Sequence, residues 1–202
     1  MWRYEYSEMV TATTISAPTP SLNQARALDA AVELVGTEGI RALTHARVDA
    51  GAGLPKGSTS NYFRTRTALL TGVLDWIVGR ELASVAASTL EPQTIDDFID
   101  SFCALIEYTS GPARTLTRAR LSIFLEASHM PELHLSISRG RTALESSLTE
   151  AFRRLGAPDP VDAALAAMAC AEGIILHRVA RGDTTDPRPV VSFVIQGAFP
   201  TS

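Results

Sequence analysis

Apolar residues recur along this chain at helical spacing from Ser21 almost to its end. Leu28, Ala31, Val32 and Val35 fall on one face of a first helix, which Ser21 or Asn23 can cap and Gly39 closes. Thr44 opens a short second helix running through Ala50, and Gly51 and Gly53 stop it. Pro55 suits the first turn of a short third helix, where its missing N–H costs nothing. Thr65 caps a long fourth, whose broad apolar face holds Leu69, Leu70, Val73, Leu74 and Ile77.

The signals repeat further on. Thr94 and Asp97 have capping-box spacing for a helix through Tyr108. The stretch "SGPAR" at 110–114 breaks the chain before a helix to Ser128, and Pro131 opens another that ends near "LGAPDP". Val161 to Arg181 reads as a long helix with two faces. One carries Val161, Leu165, Met168, Ile175 and Val179; the other is small, with Ala163, Ala167, Cys170 and Ile174. After "GDTTDPRP", Val190 to Phe199 is apolar and fits helix or strand by pattern alone. About nine helices without β-alternation predict an all-α fold. Residues 1–20, rich in Thr, Ser and Pro, read as a flexible arm.

Composition adds little until charge is mapped. With 46% hydrophobic and 20% charged residues, the 202-residue chain reads as an ordinary globular protein. The opening lacks a basic start and a continuous apolar stretch, and no apolar run approaches the ~20 residues of a membrane span. The expectation is therefore a cytoplasmic protein without a membrane partner. Cys103 and Cys170, far apart, read as free thiols. The net charge of −4 is uneven: Arg41, Arg47, Lys56, Arg64 and Arg66 stand against Asp49 alone. Residues 41–66 thus carry +4 and the remainder −8, a small basic module on an acidic body.

Within that module, "GAGLPKGSTSNYF" (51–63) has the ingredients of a phosphate-cradling loop. A nucleotide loop needs Gly-Lys-Ser/Thr in that order after a strand; here the order is Lys56-Gly57-Ser58 and no strand precedes it. The dinucleotide fingerprint fails on spacing as well. Two short helices joined by a glycine turn remain. Lys56, Gly57, Ser58, Ser60, Asn61 and Tyr62 would then face outward, small enough to enter a DNA major groove and polar enough to bond it. An unpartnered helical hairpin has the same spacing.

The stretch from Ala27 to Leu74 resembles the DNA-binding domain of the TetR family of bacterial transcriptional regulators. The features carrying the resemblance are "ALDAAVELVGTEG", Thr44 at the second helix, the V-x-x-x-A-G-L turn, "PKGS", "NYF" and "RTRTALL". It implies a three-helix helix-turn-helix domain over 21–67 and an effector-binding and dimerisation domain over 68–202. Thr44 and His45 would touch phosphates at the second helix's N-terminus, and Arg47 belongs to the same DNA-binding set. Lys56, Gly57 and Ser60 would face bases, Ser58, Asn61, Tyr62 and Arg66 would grip phosphate, and Thr59 would line the groove. Ser60 and Ala46 depart from the residues many members use there, so the recognised sequence is expected to be the protein's own.

The resemblance further implies a homodimer on a near-palindromic double-stranded operator, acting as a repressor that an unknown small-molecule effector releases. Candidates for the effector pocket are Trp76, Phe98, Phe102, Tyr108, Arg118, Phe124, Glu126 and His177. Candidates for the dimer interface are Ala163, Ala167, Cys170, Ile174, Val190 and Val194. No cofactor, metal or catalytic set is expected. A rival reading starts from "DDFID": Asp96, Asp97 and Asp100 share one side of a helix and match the Asp-Asp-x-x-Asp cluster of magnesium-dependent diphosphate chemistry. Acidic residues in a first helical turn also simply oppose the helix dipole.

Overall fold

The computed structural model describes residues 20–87 and 92–200, which form nine α-helices and no strand. Apart from Pro20, the expected arm over 1–20 lies outside the described residues. In order come α1 (Leu22–Glu38), α2 (His45–Ala52), α3 (Ser58–Tyr62), α4 (Arg66–Ala87) and α5 (Ile95–Ser110). They are followed by α6 (Arg114–Glu126), α7 (His134–Arg154), α8 (Pro160–Arg181) and α9 (Arg188–Gln196).

Caps expected from the sequence are present. The Ser21 hydroxyl accepts from the Gln24 N–H, that of Thr44 from Arg47, and Thr94 with Asp97 completes a capping box. Some boundaries differ: α2 runs on through Gly51 to Ala52, and α6 ends at Glu126 rather than Ser128. α3 starts at Ser58 rather than Pro55, because Gly57 at φ +92° turns the chain before the helix can begin. Pro131 opens a 3-10 turn (Pro131–Leu133) ahead of α7. The ambiguous last segment is a helix: Val191 and Ile195 are buried while Phe193 between them is 82% exposed, a period of four rather than two.

Two hydrophobic cores form. The first gathers Leu28, Val32 and Val35 of α1, Val48 of α2, Phe63, and Leu69 to Ile77 of α4, and it continues into α6 through Ala119 and Ile123. α1 and α6 approach nearly backbone to backbone: a Cβ on Gly36 would stand 2.2 Å from the Thr115 carbonyl oxygen. The second core joins Phe98, Phe102 and Ile106 of α5, Leu148 and Phe152 of α7, Ala164 and Met168 of α8, and Val191 and Ile195 of α9. Phe98 and Phe152 meet edge to face at 5.0 Å.

Burial corrects the two-face reading of α8. Ala163 and Ala167 point into the second core, where their small side chains let α8 pack closely, so they are not available to a second copy. α8 is also long and apolar enough to cross a membrane by length and composition, with mean hydropathy 1.5, contrary to the reading of no such run. Its inward face is packed against protein.

Candidate nucleic-acid interface and ligand cavity

α2 and α3 are tied together by one buried carboxylate. Asp49 is 3% exposed and accepts from the Gly57 N–H (2.7 Å), the Thr59 N–H (2.8 Å) and the Thr59 hydroxyl (2.5 Å). α3 has no side-chain cap from Gly57, so the carboxylate of the preceding helix supplies it. Burial alone would raise the Asp49 pKa. The bonds from Thr59 and Gly57, with His45 nearby, outweigh it and hold the carboxyl below the usual range.

Three further clamps hold the unit. The His45 Nε2 lies 2.6 Å from the Phe63 carbonyl; since a carbonyl only accepts, that nitrogen carries the proton. Arg66 donates to the Leu43 carbonyl and to that of Ile40 (2.9 Å). Arg26 of α1 donates to the Ala52 carbonyl at the end of α2 (2.6 Å). Pinned this way, the turn and α3 leave Lys56, Ser60, Asn61 and Tyr62 exposed, with Tyr62 38% accessible. Ser58 is half-buried; its hydroxyl turns back to the Pro55 carbonyl, and that of Ser60 to Gly57.

Several sequence expectations are corrected by these contacts. Thr59 is fully buried and cannot line a groove. His45 and Arg66 spend their polar groups on backbone carbonyls of the domain itself. Arg47 donates to both oxygens of Glu38 (2.6 and 2.7 Å). Thr44 caps α2 while remaining exposed, and Gly57 is the turn residue rather than part of a helix. Asp49 as a structural residue, and Arg26, have no counterpart among the sequence expectations. The available signal was a lone acidic residue beside Val48 on a helix whose next-door positions face the core.

A cavity of about 210 Å³ lies where α4, α5, α6, α7 and α8 converge. Each helix offers a face at helical spacing: Phe102, Leu105, Tyr108 and Thr109 from α5; Leu116, Thr117 and Arg120 from α6; Met168, Ala171, Glu172 and Ile175 from α8. Arg80 and Glu81 of α4, Leu144 and Leu148 of α7, and Ala113 just before α6 complete the lining. A smaller space of about 90 Å³ adjoins it, sharing Glu81, Arg120, Leu144, Met168 and Glu172 and adding Phe124.

Of the expected pocket residues, Phe102 and Tyr108 line the cavity and Phe124 lines its neighbour. The others lie elsewhere. The Trp76 indole donates to Asp29 of α1 (2.9 Å), and the Phe98 ring is sealed in the second core. Arg118, Glu126 and His177 do not line either space. The charged lining residues Arg80, Glu81, Arg120 and Glu172 are absent from the sequence expectations. Arg120, three and four positions beyond Thr117 and Leu116 on the inward face of α6, was the available clue.

The cluster proposed for metal chemistry has other partners. Asp97 accepts from the Thr94 N–H (3.1 Å), and Asp100 is paired with Arg188. Among the described residues no group of three or more His, Cys, Asp or Glu is placed to hold a metal ion.

Comparison with known proteins places this architecture. A sequence profile described as "Tetracyclin repressor-like, C-terminal domain" matches residues 93–201. No curated protein matches the chain in a sequence comparison. Among solved structures, the multidrug binding protein EbrR complexed with ethidium is 25% identical, with a TM-score of 0.70, over 89% of this chain and 99% of that one. SCO1917, a TetR-family member from Streptomyces coelicolor A3, is 22% identical with a TM-score of 0.69, over 90% and 100% of the two chains. A putative TetR-family regulator from Rhodococcus sp. is 22% identical with a TM-score of 0.73, over 88% and 99%. The helix-turn-helix unit, the two helical cores and the profile over 93–201 agree: the chain belongs to the TetR family of transcriptional regulators.

Proposed function

We propose that the protein is a homodimeric, cytoplasmic repressor that grips a near-palindromic operator through the turn and α3 and is released by a small ligand in the interhelical cavity. The observation that carries this reading is the exposed tip formed by Lys56, Ser60, Asn61 and Tyr62 on a frame fixed by buried Asp49. A rigid, polar, partly basic tip of small side chains suits a major groove, where Lys56 and Ser60 would reach base edges and Asn61 and Tyr62 phosphates. Thr44, at the exposed start of α2, would add a phosphate contact.

A two-fold operator needs a two-fold protein. The outward apolar residues of α8 and α9 suit that role: Leu176, Val190 and above all Phe193 are exposed, with Cys170, Ile174 and Val194 half-buried beside them. Release would run through α6, which lines the cavity with Leu116, Thr117 and Arg120 and touches α1 at Gly36. A ligand that shifts α6 tilts α1, and with it the spacing of the two reading heads; ligand and DNA then oppose each other by linkage. EbrR, complexed with ethidium, supports a ligand in this fold.

Selection of bound fragments from random duplex DNA tests the reading. A palindromic consensus is the expected result. Lys56→Ala and Tyr62→Ala should each weaken binding to it by about 1–3 kcal/mol per half-site without altering thermal stability. A gel shift in which both variants bind like the parent protein refutes the assignment.

A further inference from the structure

We infer that Lys56 is an acyl-acceptor site, and that transfer of an acyl group from an acyl phosphate or acyl thioester to its ε-amine switches off the reading tip. The switch rests on the regulator reading proposed above; acylation itself follows from residue type and exposure.

Lys56 is the one lysine of the chain, set against seventeen arginines. The two cations differ in chemistry. A guanidinium keeps its proton and does not accept acyl groups, whereas an ε-amine accepts them once its proton is shed. Side-chain amine acylation therefore has a single address in this sequence, and that address is the turn between α2 and α3.

The turn leaves the amine open. Lys56 is exposed, and its neighbours Pro55 and Gly57 carry no long side chain that could cover it. It makes no hydrogen bond or ion pair with the described residues. Asp49, the carboxylate closest to it in sequence, is taken up inside by Gly57 and Thr59. Arg26, Arg47 and Arg66 of the same unit are by contrast engaged with Glu38 or with backbone carbonyls.

The step is an acyl transfer. The unprotonated amine attacks the acyl carbonyl carbon and the N–C bond forms. The C–O bond to phosphate, or the C–S bond to the thiol, breaks, and the amine's proton leaves with the departing phosphate or thiolate. An ammonium with three donors becomes a neutral amide with one N–H and one carbonyl oxygen. The charge of residues 41–66 falls from +4 to +3, and the acyl group adds bulk to a tip whose small side chains suit a groove.

Acetyl phosphate and acetyl-coenzyme A, in separate arms, test the site on the full chain, with peptide mapping by mass spectrometry. At least one donor should acetylate Lys56 as fast as it acetylates a free peptide of residues 54–58, and the arm that does so identifies the source. The duplex selected from random DNA should shield Lys56 when bound. Acetylation should lower affinity for that duplex at least about tenfold and flatten its salt dependence, because each half-site has lost a cation. Thermal melts should not move. Lys56→Arg, whatever its starting affinity, should bind equally before and after treatment, which separates Lys56 from the chain's α-amine. Lys56→Gln should bind like the acetylated protein. Lys56 left unmodified by both donors, modified equally with and without duplex, or acetylated with no change in affinity would overturn the inference, as would an equal loss in treated Lys56→Arg. Affinity that survives acetylation leaves the regulator reading standing, whereas a chain that selects no duplex before treatment removes both.

Discussion

Asp49→Ala is the substitution from which most can be learned about the reading head. Its carboxylate receives three hydrogen bonds, two from Thr59 and one from Gly57, and both Asp49 and Thr59 are buried. Hydrogen bonds to a charged group contribute roughly 1.5–3 kcal/mol each, and a buried donor left unpaired costs about 1–3 kcal/mol. Water can reach the half-buried Gly57 N–H once the carboxylate is gone, but the donors of Thr59 are fully enclosed. The net loss should therefore be about 2–4 kcal/mol, read as a lower urea midpoint at fixed protein concentration. Thr59→Val keeps the shape and removes one donor. In a double-mutant cycle the pair should show a coupling of about 1–2 kcal/mol, because with both polar partners gone less remains unsatisfied. α3 spans only Ser58–Tyr62 and takes its cap from Asp49, so operator affinity should fall at least about tenfold as the helix frays. The sign with pH follows from the lowered Asp49 pKa: the unfolded chain binds the proton first, so the contribution is complete above about pH 4 and is lost as pH falls through the folded value. That acid-side loss should be absent in Asp49→Ala. A destabilisation under about 0.5 kcal/mol together with parental operator binding would refute the clamp.

Gly36→Ala would drive a methyl group to 2.2 Å from the Thr115 carbonyl oxygen, backbone that cannot swing away. It should lower stability by about 1–3 kcal/mol or force α1 off α6, seen as DNA binding that no longer responds to ligand; a parental melting curve with an intact response would contradict the close contact. Phe193→Asp, at the most exposed apolar side chain of α9, should leave the fold intact and yield a monomer in light scattering, with operator binding lost. A stable dimer in that variant would remove α9 from the interface.

Much of this molecule could be read from its residues because local chemistry dictates it. Ser21, Thr44 and Thr94 cap their helices because a hydroxyl can reach an N–H three positions on, wherever the helix lies in the fold. Apolar spacing likewise marked the inward faces of α1 and α4, and the outward tip at Asn61 and Tyr62 follows from Val48 and Phe63 needing burial on the other side. Other properties depend on which helices meet. Whether the alanine face of α8 turns toward α5 and α9 or toward another chain is settled by packing, since alanine suits either. Periodicity left Val190 to Phe199 open between helix and strand until Val191 and Ile195 found the second core. The cavity is a space between five helices, so its lining joins Glu81, Arg120 and Glu172 from distant parts of the chain. Asp49 shows the same division: its charge is legible in sequence, but its role comes from a fold that brings Gly57 and Thr59 within hydrogen-bond reach and shuts out the water that would otherwise solvate it.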